Sequence, residues 1–436
     1  MLASRIRNNL RIAAPVAFSN GYIIFISFLR GVILARLLGP GEFGVAIILL
    51  TIAAGADLLS DGGVDQYVVR SRHGHRLKIL AGVQTFRLAT TASWGLLLFA
   101  LAPVLAPTLS ASQAALAMQW LAGAIILRGF VNLSYKVEQR QRVYGKEVRI
   151  DIIRSSAEIV VLSLAAIQLG SFWAVVFGYF ANTLAAVAVS QRYAPRRFRL
   201  SLNTAILALI GRFCFPILIN AGILFAAIQG DRLIIAAAVN PYQLGLYAAA
   251  CTIGQAAISL VSRVTNSMIL PLFGAGKHLD KDRHRTSDRL VRCYCGISIL
   301  FGVGLTAIAP LLVPLVYGPA FAGLGIIIFA SACVQMLQLQ QTMLSSLMVS
   351  IGETRLFPLI TGVRAASLPA AFPFLVQSGN IVVVPCALAV GTFLALILSL
   401  RVLHRFGLVS GRTMLLCVGQ GLLVLGVLFG VVFYWG

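Results

Sequence analysis

Nine arginines stand inside stretches that are otherwise apolar: Arg30, Arg36, Arg87, Arg128, Arg154, Arg212, Arg232, Arg263 and Arg364. Their acidic company is thin, namely Asp57, Asp61, Glu158 and Asp231. One arginine at mid-bilayer costs about 2.5–3.5 kcal/mol on insertion scales. Nine facing lipid would cost on the order of 20–30 kcal/mol, more than the net stability of a fold. Each must therefore snorkel, pair or face water. Arg36, Arg87, Arg154, Arg212 and Arg263 lie within about two turns of an expected helix end, where a long side chain can snorkel. Arg154 and Glu158 are spaced i, i+4 and can satisfy each other, and Asp57 and Asp61 share that spacing. Arg30, Arg128, Arg232 and Arg364 sit deeper and are the candidates to line a water-filled cavity that binds an anionic headgroup. Arginine suits phosphate because its planar fork donates two parallel hydrogen bonds. The competing reading is structural pairing, above all of Arg30 with Asp231.

Other chemistry is sparse. Cys214, Cys251, Cys293, Cys295, Cys333, Cys386 and Cys417 lie in or beside apolar segments and form no C-x-x-C, so they read as small apolar helix residues. His73, His75, His278, His284 and His404 fall in basic loops and read as solvated surface. No metal site and no cofactor are expected. There is no G-x-x-x-x-G-K-[ST]; the run Gly274–His278 resembles one only superficially.

The elements that must position these charges are membrane helices. Of 436 residues, 59% are hydrophobic and 11% charged, against nearly a quarter charged in soluble domains. A spanning helix needs roughly 20 mostly apolar residues. Such segments are expected near 12–38, 43–63, 81–102, 113–134, 150–169, 172–190, 205–238, 243–265, 293–314, 323–350, 357–376, 381–400 and 413–435. The first is too long for a signal-peptide core and has no cleavage site after it, so it is expected to stay as a spanning helix. With the N-terminus in the cytoplasm, 26 of the 35 Lys/Arg fall in cytoplasmic loops and none in outer loops. Anchoring near anionic headgroups accounts for the net charge of +22 without nucleic acid. No extramembrane domain is expected; the longest loop, 266–292, would at most form a short amphipathic helix.

A shift of 201 residues overlays the first two spans on the seventh and eighth without a gap. Arg11 meets Arg212, Pro15 Pro216, Gly21 Gly222, Ala35 Ala236, Pro40 Pro241, Gly44 Gly245, and Thr51-Ile52 Thr252-Ile253. Matching Pro and Gly set kinks and turns, not mere hydrophobicity. Six spans separate the halves, so the repeats are parallel, related by an axis along the membrane normal. The expected organisation is an N-terminal six-helix bundle over 1–195, a C-terminal one over 196–401, and one additional helix over 402–436. Asp231 takes the place of Arg30 under the shift, which suggests an Arg30–Asp231 gating pair.

The runs RGVILARLLGPGEFGVA (30–46) and GDRLIIAAAVNPYQLGLYAAA (230–250) resemble the polysaccharide-repeat-unit flippases. These are Wzx-type members of the superfamily that holds the multidrug/toxin extruders and the lipid II flippase. YGPAFAGLG (317–325) and SIGETRL (350–356) are similar to that family's second half, and the likeness covers about residues 5–400. It implies an all-α polytopic, MATE-like fold of two six-helix bundles around a central cavity, with the thirteenth segment as a departure. It also implies alternating-access transport of undecaprenyl-pyrophosphate-linked oligosaccharide to the outer leaflet of a bacterial inner membrane. The family's cationic lumen would map onto Arg30 and then onto Arg128, Arg232 and Arg364. Membrane lipids, a polysaccharide polymerase and export machinery are the partners it suggests. A multidrug exporter of the same fold and a membrane saccharide polymerase are the alternatives. The first would want deep acidic residues; the second would want catalytic carboxylates or histidines in the outer loops.

Overall fold

The computed structural model describes residues 2–71, 74, 76–141, 143–274, 281–353 and 355–435. Within them, side chains are described from Pro15 to Tyr434 except at 263, 264, 266–268, 270–274 and 281–283. The described residues are helical, with no strand: α1 (Leu2–Asp61), α2 (Val64–Arg70), α3 (Leu77–Thr108), α4 (Ala115–Arg128), α5 (Lys136–Gln139), α6 (Gly145–Leu169), α7 (Trp173–Tyr193), α8 (Thr204–Ala238), α9 (Pro241–Gly274), α10 (Lys281–Tyr317), α11 (Gly325–Ser350), α12 (Phe357–Ser378), α13 (Val383–Arg405) and α14 (Gly411–Trp435).

Every expected span is found as a helix. Among the described residues ten helices are long and apolar enough to cross a membrane, and eleven if the pair Ser112–Arg128 and Leu133–Gln139, bent by 49°, counts as one span. Two more are hidden from a test of length and composition. α1 is two helices joined across Gly39, whose φ of 72° and ψ of 170° leave the helical region. Glycine reaches that conformation without a Cβ clash. Pro40 then opens the second half, as Pro241 opens α9; proline is tolerated at a helix start, where its missing N–H is not needed. α6, which holds the expected span 150–169, is the other.

Among the described residues of the 266–292 loop, no separate helix stands apart from α9 and α10. α9 runs on to Gly274 and α10 begins at Lys281, so both flanks extend spanning helices. Residues 275–280 lie outside the described residues.

Two compact units divide the chain, Met1–Phe225 and Ala226–Gly436. The division falls within α8, whereas the expected boundary at 195/196 lies in the loop before that helix. In the first unit α6 packs along α7, α3 along α4, and both α1 and α4 on these pairs. α3 and α4 approach closely at Gly95, where a Cβ would fall 2.4 Å from Ile126. In the second unit α11 is central, packed on α9, α10 and α13. α14 belongs to this unit's core, since Cys417 joins Leu347, Leu396 and Leu400 in one buried cluster. Its start is fixed to α10: the Ser410 N–H donates to Asp288 Oδ1 (2.8 Å), and the Ser287 hydroxyl donates to the Leu408 carbonyl (2.5 Å).

Candidate functional site

In the first unit, the two halves of α1 with α4, α6 and α7 enclose a cavity of about 400 Å³. Three arginines line it, Arg30, Arg128 and Arg154, with three carboxylates, Asp57, Asp61 and Glu158. Arg30 Nη1 pairs with Glu158 Oε1 across α1 and α6. The second Glu158 oxygen accepts from Asn182 Nδ2 on α7 (2.6 Å). Arg128, at the C-terminal end of α4, pairs with Asp57 at 3.0 Å, and Asp57 also accepts from the Tyr179 hydroxyl. Helix dipole and carboxylate thus act together on Arg128. Arg154 turns to Asp151, 2.9 Å away and three residues earlier on α6.

Some of this corrects the sequence reading. Glu158 does not take Arg154, its i, i+4 neighbour; it takes Arg30, brought to it by packing of α1 on α6. Arg87 does not snorkel. It is 4% exposed and chelated by Asp61 (2.9 Å) and Asp65 (3.4 Å). Arg36 and Arg212 are exposed, as snorkelling side chains should be, and the Arg263 side chain lies outside the described residues. Glu42, near the start of the second half of α1, accepts the Phe172 N–H at the start of α7 (3.0 Å), a capping role.

The deep charges of the second unit are held differently. Asp231 on α8 accepts from the Tyr247 hydroxyl (2.8 Å) and from the Arg232 backbone N–H (2.9 Å). Arg232 donates to Gln229 Oε1 (2.9 Å) and Gln255 Oε1 (3.3 Å). With the Gln338 amide presenting its oxygen, that oxygen accepts from the Arg364 guanidinium. The Asp231 carboxylate is the acidic group that bears on Arg364, from beyond ion-pair distance. Arg30 and Asp231 thus each find partners inside their own unit. They share a pattern too. Each has an opposite charge on the fifth spanning helix of its half, Glu158 on α6 in direct contact with Arg30 and Arg364 on α12 beyond ion-pair distance from Asp231, with the signs exchanged.

Sequence reasoning did not single out Tyr179, Asn182, Tyr247, Gln255 or Gln338. Their common signal is a polar side chain inside an apolar stretch, weaker than a charge but subject to the same need for a partner. Two larger cavities, of about 690 and 570 Å³, flank α14. Both are lined almost wholly by apolar side chains and offer a polar headgroup little to bind.

Residues 33–324 match the family described as "Polysaccharide biosynthesis protein". The chain belongs to that family. It is similar to the succinoglycan biosynthesis transport protein ExoT of Rhizobium meliloti (strain 1021), with 27% identity over 269 residues, or 61% of this chain and 53% of that protein. The chain thus matches about half the length of that relative. Among solved structures it resembles the lipid II flippase MurJ in an inward closed conformation (TM-score 0.71, 12% identity, 98% of this chain and 99% of that one). It also resembles an inward-facing multidrug resistance MATE transporter of the MOP superfamily (TM-score 0.64, 16% identity, 94% and 96%). At such identities the structural likeness shows the fold. It bears out the all-α, MATE-like reading, and family membership bears out the resemblance drawn from residues 30–46 and 230–250. The chain is a multi-pass membrane protein of a polysaccharide biosynthesis family.

Proposed function

We propose that the protein is a flippase that moves undecaprenyl-pyrophosphate-linked oligosaccharide from the cytoplasmic to the outer leaflet of the bacterial inner membrane, by alternating access and with its N-terminus in the cytoplasm. The observation that carries this reading is the charged, hydrogen-bonding cavity inside the otherwise apolar first unit. Sugar hydroxyls both donate and accept. The cavity supplies donors (Arg30, Arg128, Asn182) and acceptors (Asp57, Glu158) side by side. A hydrocarbon-solvated surface supplies neither, so the headgroup crosses only where the protein replaces its water. Membership in a polysaccharide biosynthesis family and the transport role in the name of the ExoT relative support the same substrate class. The chain acts as a transporter, not an enzyme, and works beside a polymerase and export machinery.

The test is deletion in a producing strain, followed by complementation. Loss of surface polysaccharide with accumulation of lipid-linked oligosaccharide on the cytoplasmic side is expected. The MATE likeness supplies the alternative: intact polysaccharide with sensitivity to cationic drugs would replace this reading with drug export.

A further inference from the structure

Every charge on the wall of the first-unit cavity is met by an opposite one. Arg30 holds Glu158, Arg128 holds Asp57, Arg154 turns to Asp151, and Asp61 holds Arg87. Three arginines and three carboxylates line the space, so it is charged in detail and neutral in sum. The pairs are not sealed away, since the side chains of Arg30, Asp57 and Asp61 are 25%, 31% and 45% exposed. Two buried polar atoms of the same wall are left over. Asn182, 6% exposed, gives its amide N–H to Glu158, and its Oδ1 has no hydrogen-bond partner among the described residues. Arg128, 8% exposed, spends Nη1 on Asp57, and its Nε has none there either. One is an acceptor and the other a donor, and a buried polar group without a partner is costly. The cavity, about 400 Å³, lies near the low end of small-molecule sites, roughly 300–1,000 Å³. That is room for a sugar ring or two and not for a long oligosaccharide.

We infer that this cavity seats an uncharged sugar of the cargo and turns away sugars that carry a carboxylate, an inference that rests on the flippase reading above. An anionic group needs an unspent cation. Here each guanidinium already has its carboxylate, and an incoming anion meets Asp57, Asp61 and Glu158 as like charges, which costs binding. A neutral pyranose brings hydroxyls alone. Each hydroxyl donates to a carboxylate oxygen and accepts from a guanidinium or amide N–H. An ion pair has both to spare, because a carboxylate offers about four lone pairs and a guanidinium about five N–H donors. Hydrogen bonds to ionised groups are stronger than neutral ones. A fully paired wall therefore grips hydroxyls without attracting charge. Glu158, Asp57 and Asp61 set the selection by their negative charge, and Asn182 adds the uncharged acceptor.

The experiment is saturation-transfer NMR on the purified full chain in lipid nanodiscs. The probes are methyl glycosides of glucose, galactose and mannose, each beside the uronate of the same sugar. The wild type transfers saturation to at least one neutral glycoside and not to its uronate. Asn182→Leu, close in size, loses that signal. Glu158→Gln and Asp61→Asn each take one negative charge from the wall, and the preference shifts toward the uronate by about tenfold or more. Asp61→Asn leaves Arg87 its second partner, Asp65, so this variant stays folded even where Glu158→Gln loosens the protein. Arg212→Gln, an exposed charge of the same unit, changes neither signal. Suppose the wild type restores export in a deletion strain. If it then binds no neutral glycoside, binds the uronates equally well, or keeps its preference in both charge variants, the seat is wrong and the flippase reading stands. If the wild type neither binds a neutral glycoside nor restores export, the flippase reading falls and takes the seat with it.

Discussion

Replacing Glu158 by Gln isolates the Arg30–Glu158 pair between α1 and α6. The side chain keeps its shape and loses its charge, which strands the Arg30 guanidinium. Breaking a buried pair from one side costs about 3–5 kcal/mol. The Arg30 side chain is 25% exposed and Glu158 11%, so water offsets part of that penalty and about 2 kcal/mol remains. Arg30→Gln strands Glu158 instead, which keeps its bond from Asn182, and a loss of similar size is expected. The double variant leaves two neutral amides that hydrogen-bond to each other, with no stranded charge. Its loss should be well below the sum of the singles, a coupling of about 2 kcal/mol. Thermal unfolding of the purified protein in detergent reads this as drops of about 2 °C for each single change. The double variant should drop no further than one single change does. Strictly additive drops would show that the pair contributes no coupling and that Arg30 is held by other contacts.

Further outcomes are open to direct measurement. With the exposed native thiol of Cys293 replaced by Ser, cysteines introduced at Gly41, Ser110 and Ser378 should react with an impermeant thiol reagent from outside the cell, and those at Ser71 and Arg285 should not; reversed labelling would invert the topology. Gly95→Val should lower the unfolding temperature by several degrees at about 1–3 kcal/mol of overpacking, because a Cβ there already meets Ile126 at 2.4 Å and the Ala122 carbonyl at 2.9 Å; a neutral effect would mean that α3 and α4 separate freely. Cys295 and Cys417 hold their sulfurs 3.0 Å apart across α10 and α14. A mild thiol oxidant should therefore join them, detected as a peptide bearing both residues and two hydrogens lighter, whereas failure to cross-link would place α14 away from α10.

The spans were readable from the sequence because one physical requirement, enough apolar length to cross hydrocarbon, acts locally along the chain. Gly39-Pro40 and Asn240-Pro241 marked breaks for an equally local reason: glycine frees the backbone from the helical region, and proline fixes φ and lacks an N–H, wherever they stand. Partners were not readable in the same way. Glu158 has Arg154 one helical turn away and Arg30 128 residues away, and only packing of α6 on α1 decides in favour of the distant one. Arg87 lies near a helix end, where snorkelling is the local answer. The fold places Asp61 and Asp65 against it, and the side chain stays inside. α6 shows both cases. Its apolar length is plain in the sequence over 150–169, but the distant partner of Glu158 is set by packing alone.

The exchange of signs between the halves joins structure to function. A membrane fold does not require a particular charge at the place of Arg30 and Asp231. It requires that a charge placed there be compensated, because an unpaired one costs about 2.5–3.5 kcal/mol in hydrocarbon. Arg30 against Glu158 meets that demand, and Asp231 near Arg364 meets it with the roles reversed. The helices can pack alike in both halves whichever sign sits on α1 or α8. What packing does not ask for is a second arginine next to Asp231. Arg232 has no counterpart in the first half, where Gly31 stands at the matching position. It adds a cation whose compensation by carboxylate the second half does not supply. A charge kept in a membrane interior against that cost is a mark of function, and the partner that would settle it is an anion brought in with the cargo. Restoring glycine with Arg232→Gly should therefore be tolerated by the fold while complementation of export is lost. Unchanged export with a stably folded Arg232→Gly protein would return Arg232 to the ranks of structural charges.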